Sequence, residues 1–250
     1  MKLDGRVVLV TGGGSGIGFA LARRFVQAGS TVLVCGRRQA QLEAAQRACP
    51  GLHVLRCDLA SEAERVAFAE QVQRDYGALD VLVNNAGVQQ RPPSLLEPQD
   101  WAKHRAELEI NLRAPMHLTY LLLGQLRQQP SAAIVNVSSG LAFVPIAFLP
   151  TYCATKAALH SFTLSLRYQL ADTRVEVIEV VPPMVNTDLG GKGLHDNGAP
   201  LDDYADDVMK QLATGQSEFG YQFSEIIRNA PRAEQDKLFA LMNDHFAKGS

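Results

Sequence analysis

The sequence predicts a single α/β domain in which a doubly wound parallel sheet of six or seven strands carries helices on both faces. Six apolar runs alternate with segments of helical period, which is the order typical of a parallel sheet. Each glycine-rich or polar motif follows directly after one of these runs, where parallel sheets bind ligands. With 250 residues, of which 46% are hydrophobic, the chain can bury one large core.

Composition and charge disfavour several classes of protein. The formal net charge is −2, so no basic surface for nucleic acid is expected. We expect neither a secretory signal nor a membrane span, because no basic and apolar leader opens the sequence and the apolar stretches are short. The cysteines, Cys35, Cys49, Cys57 and Cys153, lack C-x-x-C spacing. This usage indicates a reduced, cytoplasmic protein, and no metal site is predicted.

The first strand is predicted at residues 7–10 and runs into a glycine-rich turn at 11–18, TGGGSGIG, which opens a helix. Residues without a Cβ let the backbone approach a pyrophosphate closely, and the helix directs its free N–H groups at the phosphates. This order is typical of a dinucleotide site, although a glycine-rich turn without a ligand is the alternative. The predicted contacts are Gly12, Ser15, Gly16, Ile17 and Gly18.

The second strand, at residues 31–35, ends in Gly36-Arg37-Arg38. In a dinucleotide fold this corner meets the adenosine ribose, where an acidic residue binds a free 2′-hydroxyl and a cation accommodates a 2′-phosphate. No acidic residue stands here, and the arginine fork matches phosphate. The predicted cofactor is therefore NADP(H), with NAD(H) less favoured. Alternatively, these arginines belong to the solvated start of the next helix, at 39–48, and this fits Arg38 better than Arg37.

The third strand, at residues 52–57, ends at Asp58 and Leu59. The Asp58 carboxylate is suited to accept a hydrogen bond from the adenine amino group. It is equally suited to cap the helix predicted at 61–76, and the local sequence favours neither role.

The fourth strand, at residues 79–83, leads into NNAG at 84–87, whose small residues let the backbone pass close to a ligand and whose amides can join neighbouring strands. A loop at 88–99 and a long helix at 100–128 follow. Asn111 lies inside that helix, where its side chain competes with the backbone. It either faces solvent or marks a distortion of the helix that binds water.

The fifth strand, at residues 132–137, ends near Ser139, and the next helix is predicted at 151–170. Within that helix, Tyr152 and Lys156 are four residues apart and share a face. A functional role for these residues has a plainer alternative in each case. Tyr152 and Lys156 would then be an ordinary exposed pair without chemistry, and Ser139 would be a capping or turn residue.

The sixth strand, at residues 175–181, is followed by a segment at 186–200 that is rich in Gly, Asn and Asp and suits a mobile lid. Helices are predicted at 202–215 and 231–247.

Together these motifs resemble the classical short-chain dehydrogenase/reductase family, which has a Rossmann-type fold, over roughly the first 190 residues. Their order and spacing match the family, including the thirteen residues from Ser139 to Tyr152. The strand end at 36–38 and the segment PPMVNT at 182–187 resemble the DltE-like oxidoreductase subgroup. Two features depart from the family pattern. Pro183 stands where the family usually has glycine, and residues 216–230 lack the family's usual seventh strand with an Asp-Gly-Gly end.

The resemblance implies hydride transfer between the nicotinamide and a carbonyl or secondary alcohol. Tyr152 would be the general acid in reduction and the base in oxidation; Lys156 would lower the pKa of Tyr152 and hold the nicotinamide ribose. Ser139 would orient the substrate oxygen, and Asn111 would hold a water that links Lys156 to solvent. The remaining implied cofactor contacts are Asp58, Leu59, Asn85, Ala86, Gly87, Val185 and Thr187.

The candidate substrate pocket is mostly apolar and includes no cationic side chain, so we expect a small, fairly apolar ketone, aldehyde or secondary alcohol. Its residues are Gln89, Gln90, Phe143, Val144, Phe148, Met184, Leu189 and Leu194.

Residues 1–250 are expected to form one domain, with 186–250 as the variable substrate lid and C-terminal part. A homodimer or homotetramer is implied by family analogy, with interface candidates that core burial explains equally well: Ala114, Leu118, Leu121, Phe162, Leu166 and Leu170. The alternative function is a module that senses NADPH without turnover, although a sensor has no need of Ser139, Tyr152 and Lys156 together. A nucleotide-sugar-modifying enzyme of the extended branch would need a larger C-terminal domain.

Overall fold

The computed structural model describes residues 1–91 and 96–247. Part of the loop predicted at 88–99 and the last three residues of the predicted C-terminal part lie outside the described residues. The predicted single α/β domain is confirmed, with an all-parallel sheet of seven strands in the order β3-β2-β1-β4-β5-β6-β7. The strands are β1 (Val7–Thr11), β2 (Thr31–Gly36), β3 (Leu52–Arg56), β4 (Val81–Asn84), β5 (Ala132–Val137), β6 (Val175–Val181) and β7 (Glu218–Gly220).

Helices cover both faces of the sheet because alternate residues of each strand point to opposite sides. On β1, Val8 and Val10 face the core formed with α1, α2 and α7, whereas Leu9 faces the core formed with α3, α5 and α6. Strands buried on both faces are apolar throughout, which explains the continuous apolar runs. The helices are α1 (Gly16–Gln27), α2 (Gln39–Ala48), α3 (Glu62–Asp75), α4 (Trp101–Leu108), α5 (Ala114–Leu126), α6 (Pro150–Gln169), α7 (Leu201–Thr214), α8 (Phe223–Asn229) and α9 (Arg232–Ala247).

The helix predicted at 100–128 is interrupted. Between α4 and α5, a π-helical turn spans Glu109–Arg113, and Asn111 lies within it, fully buried. The helix is therefore distorted at Asn111, and the solvent-facing alternative is wrong. The water that this distortion is expected to bind stays a prediction. Such π turns inside α-helices are frequent at functional sites.

A seventh strand forms in the segment where the sequence does not predict a usual one. Strand β7 has three residues and pairs with β6, with Val180 opposite Phe219 and Val181 opposite Gly220. Phe219 is buried in the core. Three residues are too few for a periodic pattern, so only the pairing with β6 defines this strand.

Buried amides join β4 to β5, as the NNAG motif predicts. Asn84 and Asn136 lie opposite each other in the two strands. The Asn84 amide donates to Asn136 Oδ1 at 2.9 Å, and the Asn136 amide donates to Thr163 Oγ at 2.9 Å. This chain fixes β4, β5 and α6 relative to one another.

The core alternative is right for four of the six interface candidates. Ala114, Leu118, Leu166 and Leu170 are buried in the core beside α5 and α6. Within the described ranges, no helix has both the length and the apolar character that crossing a membrane requires.

Candidate active site

The motifs at the strand ends meet in one cavity of about 1500 Å³. Ser139, Tyr152 and Lys156 line it, whereas Asn111 is fully buried and does not. Every predicted cofactor contact also lines it: Gly12, Ser15, Gly16, Ile17, Gly18, Arg37, Arg38, Asp58, Leu59, Asn85, Ala86, Gly87, Val185 and Thr187.

The glycine-rich turn is fixed to the end of β4 by hydrogen bonds and close packing. Thr11 Oγ accepts hydrogen bonds from the N–H groups of Asn85 and Ala86, each at 3.0 Å. A Cβ at Gly18 would lie 2.4 Å from Asn85 Nδ2 and 2.6 Å from the Gly12 carbonyl oxygen. Only glycine therefore allows α1 to approach this strand end so closely.

The start of α1 suits a phosphate. Ser15, the N-cap residue, makes no side-chain capping bond within the described part of the chain. The first N–H groups of α1 and the positive end of its dipole can therefore serve a bound anion. Thr187 faces this end from the opposite wall, since a Cβ at Gly16 would lie 3.5 Å from Thr187 Cγ2. The donor set and the close backbone approach fit the pyrophosphate of a dinucleotide.

The two arginines after β2 differ in their backbone roles. Arg38 is the extended N-cap residue of α2, and its carbonyl accepts from the N–H groups of Gln41 and Leu42. Arg38 thus belongs to the start of the helix, as the alternative interpretation of the two arginines predicts. Arg37 directly follows the strand, and both side chains are exposed at the cavity.

Asp58 does not cap α3. Ser61 is the N-cap residue, and its Oγ accepts from the Glu64 N–H at 3.3 Å. The Asp58 carboxylate instead accepts from the Ala60 N–H at 3.0 Å, and Asp58 lines the cavity. The capping alternative for Asp58 is therefore wrong.

Tyr152 and Ser139 lie together at the inner end of the cavity. Burial raises the pKa of Tyr152 above its ordinary value, and hydrogen bonding to Ser139 partly offsets this effect. In the protein by itself this pKa is raised, chiefly by desolvation. The lowering that the resemblance implies, by Lys156 together with an oxidised nicotinamide, stays a prediction. Ser139 Oγ also accepts from the Leu141 N–H at 3.1 Å, so its capping role and its position beside Tyr152 coexist.

Lys156 is buried, and two buried carboxyl groups act on its charge. Its Nζ donates to the Val137 carbonyl at 2.9 Å and lies 5.7 Å from the centre of the Tyr152 ring. Burial lowers the pKa of Lys156 to about 8, against the opposing influence of Glu179 and Glu107. Both carboxyl groups are fully buried, and each has one oxygen without a hydrogen-bond partner in the described residues. Two poorly solvated acids therefore influence the Lys156 charge.

Glu107 and Asn111 hold residues 88–90, which follow NNAG, in place. Both lie on the α4–π segment, which comprises α4 and the π-helical turn at residues 101–113. Asn111 binds both backbone groups of Val88, accepting from its N–H and donating to its carbonyl at 2.8 Å each. Glu107, one helical turn earlier, accepts from the Gln90 N–H at 3.1 Å. Burial raises the pKa of Glu107 to about 7. Residues 88–90 are thus fixed by side chains rather than by a strand partner.

Glu179 also belongs to a network beside the cavity. It hydrogen-bonds His160 Nδ1 at 2.8 Å, which raises the pKa of His160. With Glu218, these residues place possible metal-ligand atoms within 4.8 Å of one another. However, Arg167 and Arg228 already pair with Glu218 at 3.7 and 3.3 Å. These cations oppose a metal ion, so the cluster is best described as an ion-pair network.

The part of the cavity lined by the predicted pocket residues, named here the substrate half, agrees in part with the prediction. Six of the eight candidates line the cavity: Gln89, Gln90, Phe148, Met184, Leu189 and Leu194. Val144 is instead buried in the fold, and Phe143 packs on His160 with ring centres 4.6 Å apart. Arg91 and Lys192 also line the cavity, so its lining as a whole is less apolar than the eight predicted residues.

Comparison with known proteins gives consistent matches. The family model described as short chain dehydrogenase matches residues 6–197. The chain is 44% identical over 248 residues to the uncharacterized oxidoreductase DltE of Bacillus subtilis (strain 168), covering 97% of this chain and 98% of that protein. It is 33% identical over 224 residues to D-erythrulose reductase of Gallus gallus, covering 85% and 88%. The crystal structure of a short chain dehydrogenase from Burkholderia cenocepacia J2315 in complex with NADP has a TM-score of 0.83 at 26% identity, covering 96% and 98%.

The chain belongs to the short-chain dehydrogenase/reductase family of oxidoreductases, whose members use a nicotinamide cofactor. Within the family it is similar to the DltE-like subgroup, as the sequence predicts. These matches do not support the NADPH-sensing alternative.

Sequence reasoning missed the two acids beside Lys156. Glu107 lies four residues before Asn111 and so shares its helix face, a signal that the sequence does contain. Glu179 interrupts the apolar run of β6, but only the sheet topology places it behind Lys156.

Proposed function

We propose that this protein is an NADP(H)-dependent oxidoreductase that transfers a hydride between the nicotinamide and a small carbonyl or secondary alcohol. The observation that supports this most is the convergence of Ser139, Tyr152 and Lys156 in the same cavity as the glycine-rich turn. The bound nicotinamide would supply or accept the hydride, while the protein supplies proton transfer and positioning.

In the proposed mechanism of reduction, the Tyr152 hydroxyl donates its proton to the oxygen of the substrate carbonyl. Ser139 donates a hydrogen bond to the same oxygen, which orients the substrate and stabilises the developing charge. In oxidation, the Tyr152 phenolate accepts the proton. The raised pKa of Tyr152 in the protein by itself keeps the hydroxyl protonated, which is the form that reduction requires.

Lys156 and Asn111 have supporting roles in this proposal. The Lys156 ammonium would stabilise the phenolate after proton transfer and bind the nicotinamide ribose. Its pKa of about 8 lets it give up a proton near neutral pH. Asn111 would hold a water on the path from Lys156 to solvent, and its bonds to Val88 keep the adjoining chain in place.

The preference for NADP(H) is assigned to Arg37, which directly follows β2, with Arg38 as a second contact. Fluorescence titration of the purified protein with NADPH and NADH tests it. We expect tight binding of NADPH and weak binding of NADH. Arg37→Ala should weaken NADPH by about 10- to 100-fold, as expected for a charge-assisted hydrogen bond, and leave NADH nearly unchanged.

Arg38→Ala is the matched control and should have the smaller effect on NADPH, because its backbone belongs to the start of α2. Equal losses of NADPH and NADH affinity in Arg37→Ala would contradict the 2′-phosphate assignment while leaving the dehydrogenase proposal intact.

The apolar walls of the substrate half support a substrate with an apolar body, and we propose that residues from 186 onward close this half.

We also propose a homodimer or homotetramer that uses the exposed faces of α5 and α6. Exposed apolar side chains lie there, namely Tyr120, Leu164 and Tyr168. Four buried, unpaired cysteines favour the reducing cytoplasm.

A further inference from the structure

Gln89 is held in place on both sides. Its neighbours in sequence bind the α4–π segment through their backbones, Val88 to Asn111 and Gln90 to Glu107. Gln89, between these two anchored residues, lines the cavity.

The Gln89 side chain carries an unused hydrogen-bond acceptor. Gln89 is only 7% exposed, and its Oε1 has no hydrogen-bond partner in the described part of the chain. A buried polar atom without a partner loses its hydration and gains nothing in return. Such atoms are rare in folded proteins, and a ligand that donates a hydrogen bond would satisfy this one.

The segment after the sixth strand covers Gln89 from the other side. Gly190 has a φ of +77°, and a Cβ there would lie 3.1 Å from Gln89 Oε1. The Gln89 amide is therefore confined between a fixed chain and this glycine. Confinement reduces the entropy lost when a ligand binds, so a hydrogen bond to this amide can discriminate strongly between ligands.

We propose that Gln89 is a specificity-determining residue that accepts a hydrogen bond from a neutral hydroxyl group on the substrate, so that the preferred substrates are hydroxylated carbonyl compounds and the corresponding diols. This rests on the proposed function. An ammonium donor is disfavoured because the cations Arg91 and Lys192 line the same cavity. The apolar walls, which include Ile146 and Leu149, bind the carbon skeleton.

The experiment compares linear ketones of equal length with and without a hydroxyl group at successive carbons, with NADPH as reductant. We expect the best hydroxyketone to exceed its parent ketone in kcat/KM by about tenfold or more. Gln89→Met should remove this ratio, mainly by lowering kcat/KM for the hydroxyketone, and should leave the NADPH dissociation constant unchanged. Gln89→Asn, which withdraws the amide by one methylene, should reduce the ratio and serves if the methionine variant does not fold.

Gln128→Met is the control, because Gln128 is exposed and does not line the cavity. It should retain the hydroxyl preference. Turnover of parent ketones and hydroxyketones at equal rates by the unaltered protein would overturn the role of Gln89 and leave the proposed function standing. Weakened NADPH binding in Gln89→Met would make Gln89 a cofactor contact and overturn the inference. Turnover of no carbonyl compound would overturn the proposed function itself.

Discussion

The two halves of the cavity are built differently. In the half named here the cofactor half, at the ends of β1 to β4, each main contact has a backbone group on one side: the Thr11 hydroxyl binds two N–H groups of NNAG, and Gly18 lies against a backbone carbonyl. In the substrate half, side chains from separate segments form the walls, and Gly190 lies against the Gln89 side chain.

This difference determines what each half tolerates. A Cβ at Gly18 would lie 2.6 Å from the Gly12 carbonyl oxygen, so only glycine fits at this position. This requirement depends on the local backbone alone. A wall of apolar side chains accepts many combinations of similar volume. Changes in the cofactor half should therefore impair NADPH binding, which turnover of every substrate requires. Changes in the substrate half should instead alter the selectivity among substrates.

Tyr152, which the proposal places where the two halves meet, should give the largest effect. We expect Tyr152→Phe to lower kcat by about 1000-fold or more, because it removes the transferable proton and little else. NADPH affinity, measured by fluorescence titration, should stay within about twofold of the unaltered protein. A variant with ordinary turnover would contradict the proposed mechanism.

Glu107 should make stability depend on pH. Its pKa is about 7 in the folded chain against an ordinary 4.5, so the folded state holds a proton more tightly than the unfolded state. Stability should therefore fall as pH rises from about 4.5 to about 7, by about 3 kcal/mol for this group. In denaturant titrations between pH 4.5 and 8, Glu107→Gln should lose this slope, whereas the exposed control Glu70→Gln should keep it. An unchanged slope in Glu107→Gln would show that Glu107 ionises normally.

Gly18→Ala should damage the cofactor half specifically. Its Cβ would force apart α1 and the strand end at Asn85, a strain of about 1–3 kcal/mol, so NADPH binding should weaken by about 10- to 100-fold. Gly124→Ala is the control, because nothing lies within 4 Å of its Cβ position. If both variants bind NADPH normally, the turn is less tightly constrained than its contacts indicate.

Gly190→Ala should give the smallest effect and the one confined to the substrate half. A positive φ disfavours alanine, and the new methyl group would crowd Gln89, so KM for the carbonyl substrate should rise by about fivefold. Steady-state kinetics with NADPH saturating measures this change. A larger effect on NADPH affinity than on KM for the carbonyl substrate would contradict the separation of the cavity into two halves.

The sequence by itself determined the class of fold, six of the seven strands and the dinucleotide-binding motifs. These features depend on local requirements, such as glycine at close backbone contacts, small residues after β4, and apolar runs for strands covered on both faces. Even the distortion at Asn111 was among the expected alternatives, because asparagine conflicts with a regular helix wherever it occurs.

Only the tertiary structure decided the rest. Strand β7 exists because β6 offers it a pairing edge, Ser61 rather than Asp58 caps α3, and two of the pocket candidates, Phe143 and Val144, lie outside the cavity. Glu107 and Glu179 are far apart in the chain, and only folding brings both beside Lys156. Their buried charges and the confined amide of Gln89 arise from long-range packing, for which a local sequence pattern contains no periodic or compositional signal.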